Sequence, residues 1–478
     1  MLTINGRPRS VCSGLTRREL LQVGGAGLFG LTLPRVLAAE QVGSPFEKAR
    51  AKSVLFLYLF GGPSQLETFD MKPDAPSELR GPFTPIASRT PGLSICEHLS
   101  RSAQVSDKFA VIRTMTHPHN DHNACHYIQT GHKWTRSAAD GQDVNARETD
   151  WPAMGSVVEY LSQHMPNAHE RDLPDYVYLP NRLGHLQGYD RTGQYAGWLG
   201  SAYNALATDI RKRNKDDNPF FRDCTDEELD FAIKGLVSKN EITLDRLRGR
   251  RSLLEQFDDV RRQVDSVQTF AAQDQLRERA ATLVTSEAIR TALDIGQETD
   301  ALRDRYGRHL FGQSTLMGRR MIEAGTRFAT VLWDAPDGYS WDSHQHSKDL
   351  EKHLIPGFDQ AFSALIEDLD QRGLLDETLV VAVGEMGRTP KATGAWGRGH
   401  WTYCFPCVLA GAGIRGGVAY GESDKDAAYP KDYPVSPEDL AATIYWALGI
   451  DPEIRLPDRQ GRPVQILEEG RPLVELFG

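Results

Sequence analysis

Histidine and the carboxylates, the side chains that hold metal ions and move protons, are unevenly placed in this chain. Five of its 14 histidines (His117, His119, His122, His126 and His132) lie within one short loop-like stretch. Neutral imidazole is the commonest ligand for a transition-metal ion, so this density points to metal binding or proton transfer. A second group reads Trp341-Asp342-Ser343-His344-Gln345-His346. Asp342 and His344 share one side of an extended chain, whereas Asp342 and His346 lie one helical turn apart. Carboxylate plus imidazole suits Zn, Mn or Fe, and harder oxygen ligands shift the choice towards Mn or Mg. A third group, Gly384-Glu385-Met386-Gly387-Arg388-Thr389-Pro390, puts an acid and an arginine on a glycine-rich loop, and Gly397-Arg398-Gly399-His400 follows shortly after. The planar fork of an arginine fits two oxygens of a tetrahedral oxyanion at once.

What must position these groups is legible from the apolar runs. Residues 53–60, 109–112, 176–179, 328–333, 378–383 and 405–409 are short, β-rich and continuous rather than alternating. Such runs predict strands covered on both faces by helices, hence a three-layer α/β/α sandwich. Each chemical cluster follows directly after one of these strands, and open α/β sheets bind ligands at that carboxyl edge. A charged, helix-patterned stretch, set at about 204–324, predicts a helical insertion; Thr225 and Glu228 form a capping box at one of its helix starts. Pro437-Glu438-Asp439 opens a C-terminal helix packed through Leu440, Ile444, Ala447 and Leu448.

The first 39 residues read as an export signal. Thr16-Arg17-Arg18-Glu19-Leu20-Leu21 is a twin-arginine pair; a mildly apolar, glycine-rich run and the small-residue site Val36-Leu37-Ala38-Ala39 follow. The Tat route carries folded cargo, so the expected location is periplasmic or secreted, with the Tat machinery as a partner. Removing this segment takes five arginines and one glutamate from 55 basic and 65 acidic side chains, which leaves the remainder near −14. That balance argues against a nucleic-acid partner, and no later stretch approaches the roughly 20 apolar residues of a membrane span. The remaining cysteines, Cys96, Cys125, Cys224, Cys404 and Cys407, are odd in number and widely spread, unlike a disulfide framework. Cys404 and Cys407 have redox-motif spacing, but the following residues read as strand, so a buried pair or an incidental disulfide is the expectation.

These motifs together resemble the DUF1501 family. The matching elements are the Tat signal, Gly61-Gly62-Pro63-Ser64 with Glu67-Thr68-Phe69-Asp70, the His117 to Gly131 loop, Trp341 to His344, Gly384 to Pro390, Gly397 to His400, and residues 439–463. That family is similar to the alkaline phosphatase and sulfatase superfamily. The resemblance implies a metal site that hydrolyses phosphate or sulfate esters, on an anionic small molecule or glycan. It maps one divalent ion, whether Zn, Mn, Mg or Ca, onto Asp342, His400 and either His344 or His346, with Glu385 as a further ligand. A second metal or anion site would draw on Ser64, Glu67, Asp70, His117 and His119. The sulfatase nucleophile motif is not reproduced: Cys125 lacks the proline and arginine that should follow it. The resemblance therefore implies an activated water, with an acid or His122 as base and Arg388 steadying the oxyanion. The alternative is a non-catalytic relative of the same fold that binds anionic glycans or a protein.

Overall fold

The computed structural model describes residues 49–134, 143–164, 173–231, 286–334 and 340–478. Eight strands form the central sheet: β1 (Ser53–Leu59), β2 (Phe109–Met115), β3 (Tyr176–Leu179), β4 (Leu206–Ala207), β5 (Phe328–Trp333), β6 (Thr378–Val383), β7 (Phe405–Ala410) and β8 (Val418–Tyr420). Their spatial order is β8-β2-β7-β6-β1-β5-β3-β4. β1 lies between β5 and β6 and is parallel to both. β7 alone runs against its neighbours β2 and β6. This reversal brings the amino end of β7, with the residues that lead into it, to the edge where β1, β2, β5 and β6 finish.

The continuous apolar runs are explained by burial on both faces. Alternate residues Leu55, Leu57 and Leu59 of β1 join Val331, Val380 and Ala382 in one core. That face is covered by α3 (Leu310–Ala324) and α4 (Ile355–Gln371). Gly318 of α3 approaches β5 so closely that a Cβ there would reach Val331 Cγ2 at 2.8 Å. The opposite face carries an aromatic layer, with Phe56 and Phe328 ring centres 6.2 Å apart and Tyr176 and Phe328 5.5 Å apart. α2 (Met154–Gln163) packs there, its Gly155 against the Tyr176 ring. The short α1 (Ala124–Thr130) packs on α5 (Pro437–Ala447) on the outer side, Gly131 at its end meeting Ala441. α5 opens with a complete capping box: Asp439 N–H donates to Ser436 Oγ, and Ser436 N–H donates to Asp439 Oδ2. Three layers result, with helices on both sides of a mixed sheet.

Residues 1–48 and 232–285 lie outside the described residues, and with them the twin-arginine segment and the middle of the expected helical insertion. Of the stretch set at 204–324, the described ends contribute the edge strand β4 and the sheet-covering helix α3. Thr225 N–H does donate to Glu228 Oε2, at 2.8 Å, but the described residues there form a turn. Cys404 and Cys407 are free, buried thiols rather than a disulfide, as are Cys96, Cys125 and Cys224. Burial raises the Cys404 thiol to about 12 and the Cys407 thiol higher still, which removes the thiolate that redox chemistry needs. Among the described residues, no helix is long and apolar enough to cross a membrane.

Candidate metal centre

Asp342 sits at the middle of the carboxyl edge because its neighbours hold the loop from both sides. Trp341 is buried against Trp333 of β5 and Phe358 of α4, at ring separations of 5.7 and 6.3 Å. That anchor turns the next residue away from the core. Gly61, just past β1, has φ +106°, and a Cβ there would stand 2.4 Å from the Asp342 nitrogen. Only a glycine takes that conformation freely and lets the two loops touch. On the far side, Arg398 N–H donates to Ser343 O at 2.9 Å. The two-residue ladder of Gly387–Arg388 with His400–Trp401 then sets His400 opposite Arg388.

Three imidazoles converge on the Asp342 carboxylate through their Nε2 atoms. His344 lies 2.9 Å from Oδ1, His400 3.2 Å from Oδ1 and His122 3.2 Å from Oδ2. His344 Nε2 and His400 Nε2 are themselves 2.9 Å apart. Ligand atoms of His122, Asp342 and His400 all fall within 4.8 Å of one another. Ligands about 2.0–2.2 Å from one ion are separated by little more than 3 Å, a separation that the 3.2 Å approaches of His122 and His400 to Asp342 have.

Behind these converging atoms stands Glu385, fully buried. Its Oε1 meets His122 Nδ1 at 2.7 Å and accepts the Gly61 N–H at 2.9 Å; its Oε2 accepts the Tyr58 hydroxyl at 3.3 Å. Glu385 is therefore one step back from the converging atoms. It occupies the position from which a carboxylate fixes a ligating histidine's tautomer and ring orientation. Arg388 is also fully buried. Its guanidinium reaches Asp342 Oδ1 at 2.5 Å, donates to Gly62 O at 3.1 Å, and bonds Gly61 O. Its donors thus clamp Asp342 and the loop after β1 instead of offering an open fork to a substrate.

The electrostatics follow from this crowding. Burial would raise the Asp342 carboxyl, but bonds from His122, His344 and His400 and the Arg388 charge hold it well below the usual carboxylate range. Burial would likewise lower His122, yet its bonds to Asp342 and Glu385 outweigh this and raise it to about 9. His400 is lowered by burial and by its cationic neighbours. Two carboxylates around one imidazole call for positive charge between them, from a proton or from a metal ion.

The other expected residues lie elsewhere. His346 faces Asp349, with Nε2 3.9 Å from Oδ2. Glu67 is buried in an ion pair with Arg398, Oε1 to Nε 2.9 Å. Asp70 takes Lys72 at 3.0 Å and the Ser423 hydroxyl. His117 Nε2–H donates to Glu385 O at 2.7 Å, and His119 N–H donates to His117 Nδ1 at 3.2 Å. Ser64 is buried and begins the short helical turn Gln65–Glu67. The Cys125 thiol is buried, donates to Thr192 O at 3.3 Å and is pushed up by desolvation, which leaves it no nucleophilic role. Three supports escaped the sequence: Tyr58 and the Gly61 amide on Glu385, and Gln65, whose Nε2 donates to Arg388 O and whose Oε1 accepts from Arg388 N–H. Tyr58 reads in sequence as an ordinary core residue of β1; only the pairing of β1 with β6 brings it to Glu385.

Residues 51–477 match the family model described as "Protein of unknown function (DUF1501)". The chain belongs to the DUF1501 family. No curated protein matches it by sequence. Among solved structures, this DUF1501 chain is similar to Ps i-CgsB at 10% identity and TM-score 0.38, covering 84% of this chain and 72% of that one. It is also similar to the phosphonate monoester hydrolase SpPMH from Silicibacter pomeroyi at 13% identity and TM-score 0.36, covering 89% and 76%. The phosphonate monoester hydrolase of Agrobacterium radiobacter is a third such structure, at 11% identity and TM-score 0.29, covering 88% and 78%. Likeness at this level carries no chemistry from those proteins to this DUF1501 chain.

Proposed function

We propose that this protein is an exported, metal-dependent hydrolase of phosphate or sulfate esters. The observation that carries the reading is the convergence of His122, His344 and His400 Nε2 on one Asp342 carboxylate, with Glu385 behind His122. Asp342, His122 and His400 would hold the ion. Imidazole donors favour Zn or Mn over Mg or Ca. A divalent ion so held would supply a Lewis acid for the oxygens of the ester. The protein's own groups then divide the remaining work. Glu385 orients His122, Arg388 keeps Asp342 ionised and in place, and His344 is the most exposed of the three imidazoles, its side chain 45% accessible. His344 is therefore the one able to exchange a proton with a bound ester. Export rests on the twin-arginine segment and its small-residue site in the sequence.

Elemental analysis of the purified mature protein, paired with aryl phosphate and aryl sulfate assays, tests this. About one equivalent of metal should be retained, and Asp342→Asn should lose both the metal and on the order of a thousandfold in turnover. Wild-type protein that stays metal-free after supplementation and inert in both assays would end the hydrolase reading. Metal retention without turnover would instead fit a binding protein of the same fold.

A further inference from the structure

The ladder that carries His400 to the centre is two residues long on each side, Gly387–Arg388 against His400–Trp401. Its register decides which side chains reach Asp342. A slip of one residue turns side chains to the opposite face, so Arg388 and His400 would no longer both meet the same carboxylate oxygen. So short a ladder has few bonds of its own with which to resist that slip.

Gln65 supplies the missing edge. It is fully buried, and its amide is used completely: Oε1 accepts the Arg388 N–H at 3.0 Å, while Nε2 donates to Arg388 O at 2.9 Å and to Ala427 O at 3.0 Å. In an antiparallel strand the N–H and C=O of one residue point to the same side. Both groups of Arg388 are directed at Gln65, hence away from His400, and the next residue, Thr389, donates its N–H to Gly399 O at 3.0 Å. Arg388 and His400 are therefore a non-hydrogen-bonded pair, the kind in which facing side chains stand closest, with Cα atoms about 4.5 Å apart. Both side chains project from one face, and both reach Asp342 Oδ1, Arg388 at 2.5 Å and His400 at 3.2 Å.

The opposite strand is tied to the same amide. Ala427 has φ +51°, a backbone conformation that alanine rarely adopts, and the next carbonyl, Ala428 O, accepts the Trp401 indole N–H at 2.6 Å. Gln65 thus holds one strand of the ladder directly and the other through the turn at 427–428. Gly387 makes room for the arrangement, since a Cβ there would stand 2.5 Å from Gln65 Oε1.

We infer that Gln65 is a positioning residue of the candidate metal centre: it sets the register of the Arg388–His400 pair and so aims both side chains at Asp342. Its effect on a bound ion rests on the metal-dependent reading above; its effect on the His400 ring does not.

Gln65→Met and Gln65→Glu test the inference in the full mature protein. Methionine keeps the length and loses all three bonds. Glutamate keeps the acceptor for the Arg388 N–H, loses both donors, and supplies the comparison if methionine at this site prevents folding. Gln313→Met is the control. Gln313 is equally buried, its Nε2 donates to Arg303 O at 3.0 Å and Gly307 O at 2.8 Å, and its Oε1 accepts from Arg303 Nε at 3.0 Å, but none of these partners belongs to the centre. Metal affinity, read by competition with a chelator, should fall about 10- to 100-fold in both Gln65 variants and stay within about twofold of the wild type in Gln313→Met. NMR of the metal-free proteins with isotope-labelled histidine should show the His400 and His344 ring resonances moved in the Gln65 variants alone. Unmoved His400 resonances in a folded Gln65 variant, or an equal movement in Gln313→Met, would overturn the inference. So would wild-type Gln65 carboxamide protons that exchange with solvent as fast as those of an exposed glutamine, a measurement that needs no variant. If the wild type binds no metal yet only the Gln65 variants move the His400 ring, the positioning role stands and the hydrolase reading falls.

Discussion

Asp342 has more partners than one carboxylate needs for its own ionisation: three imidazoles and a guanidinium. Such crowding is costly unless the imidazoles have a shared purpose, and Glu385 shows which one is most firmly directed. It is buried, fixed by the Gly61 amide and the Tyr58 hydroxyl, and meets His122 at 2.7 Å. Glu385→Gln keeps the shape but replaces an acceptor with a donor or a weaker, neutral acceptor, so His122 loses the group that selects its tautomer. Metal affinity, measured by competition with a chelator, should fall about 10- to 100-fold. Unchanged affinity would remove Glu385 from this role. At this scale the sequence singles out Asp342, His122 and His400, which the structure brings together, and is poor at assigning positions to the rest. Asp342 and His400 stand out because they follow or approach strand ends. That Glu385 bonds His122, that Arg388 grips Asp342, and that His346 turns to Asp349 depend on loops meeting in space. No local pattern encodes that meeting.

The elements that bring the loops together are legible to different degrees. Six central strands announce themselves as continuous apolar runs because both of their faces are covered. The edge strands β4 and β8 do not, being two and three residues long and only partly buried. The direction of β7 is equally hidden, since an apolar run has no polarity, yet its reversal is what delivers His400 to the site. The approach to β7 is held by close packing at Gly397, where a Cβ would stand 2.1 Å from His344 O and 2.5 Å from its carbonyl carbon. Backbone atoms cannot yield as a side chain can. Gly397→Ala should therefore push the two loops apart, costing about 1–3 kcal/mol in urea unfolding and lowering the metal retained by the purified protein. Gly399→Ala is the matched control: its Cβ would meet only the Thr389 side chain, Cγ2 at 3.4 Å and Oγ1 at 3.9 Å. Equal behaviour of the two variants would show that loop contact does not hold His400 in place.

Across the whole molecule, several histidines are kept neutral by burial, and this couples stability to acidity. His117, His132 and His309 are each lowered to about 4, burial being the largest cause in every case. In the unfolded chain each returns to about 6.5. Between those values the unfolded state binds more protons than the native state, so stability falls as pH drops from 6.5 towards 4 and levels off below. Each histidine contributes at most about 1.4 kcal/mol per pH unit, and three together about 4 kcal/mol per unit. His122, raised to about 9, acts in a different window, since both states carry its proton below 6.5. Urea unfolding at pH 6.5, 5.5 and 4.5 should show this decline. His132 is the cleanest test, stacked on Trp151 at 3.5 Å and bonded to Ile466 O at 2.9 Å, away from the Asp342 cluster. His132→Gln retains a donor for that carbonyl but does not titrate, so its slope should be shallower by close to one proton. A stability that stays level over this interval, or a variant slope equal to the wild type, would mean that these imidazoles take up protons in the folded protein as readily as in the unfolded chain.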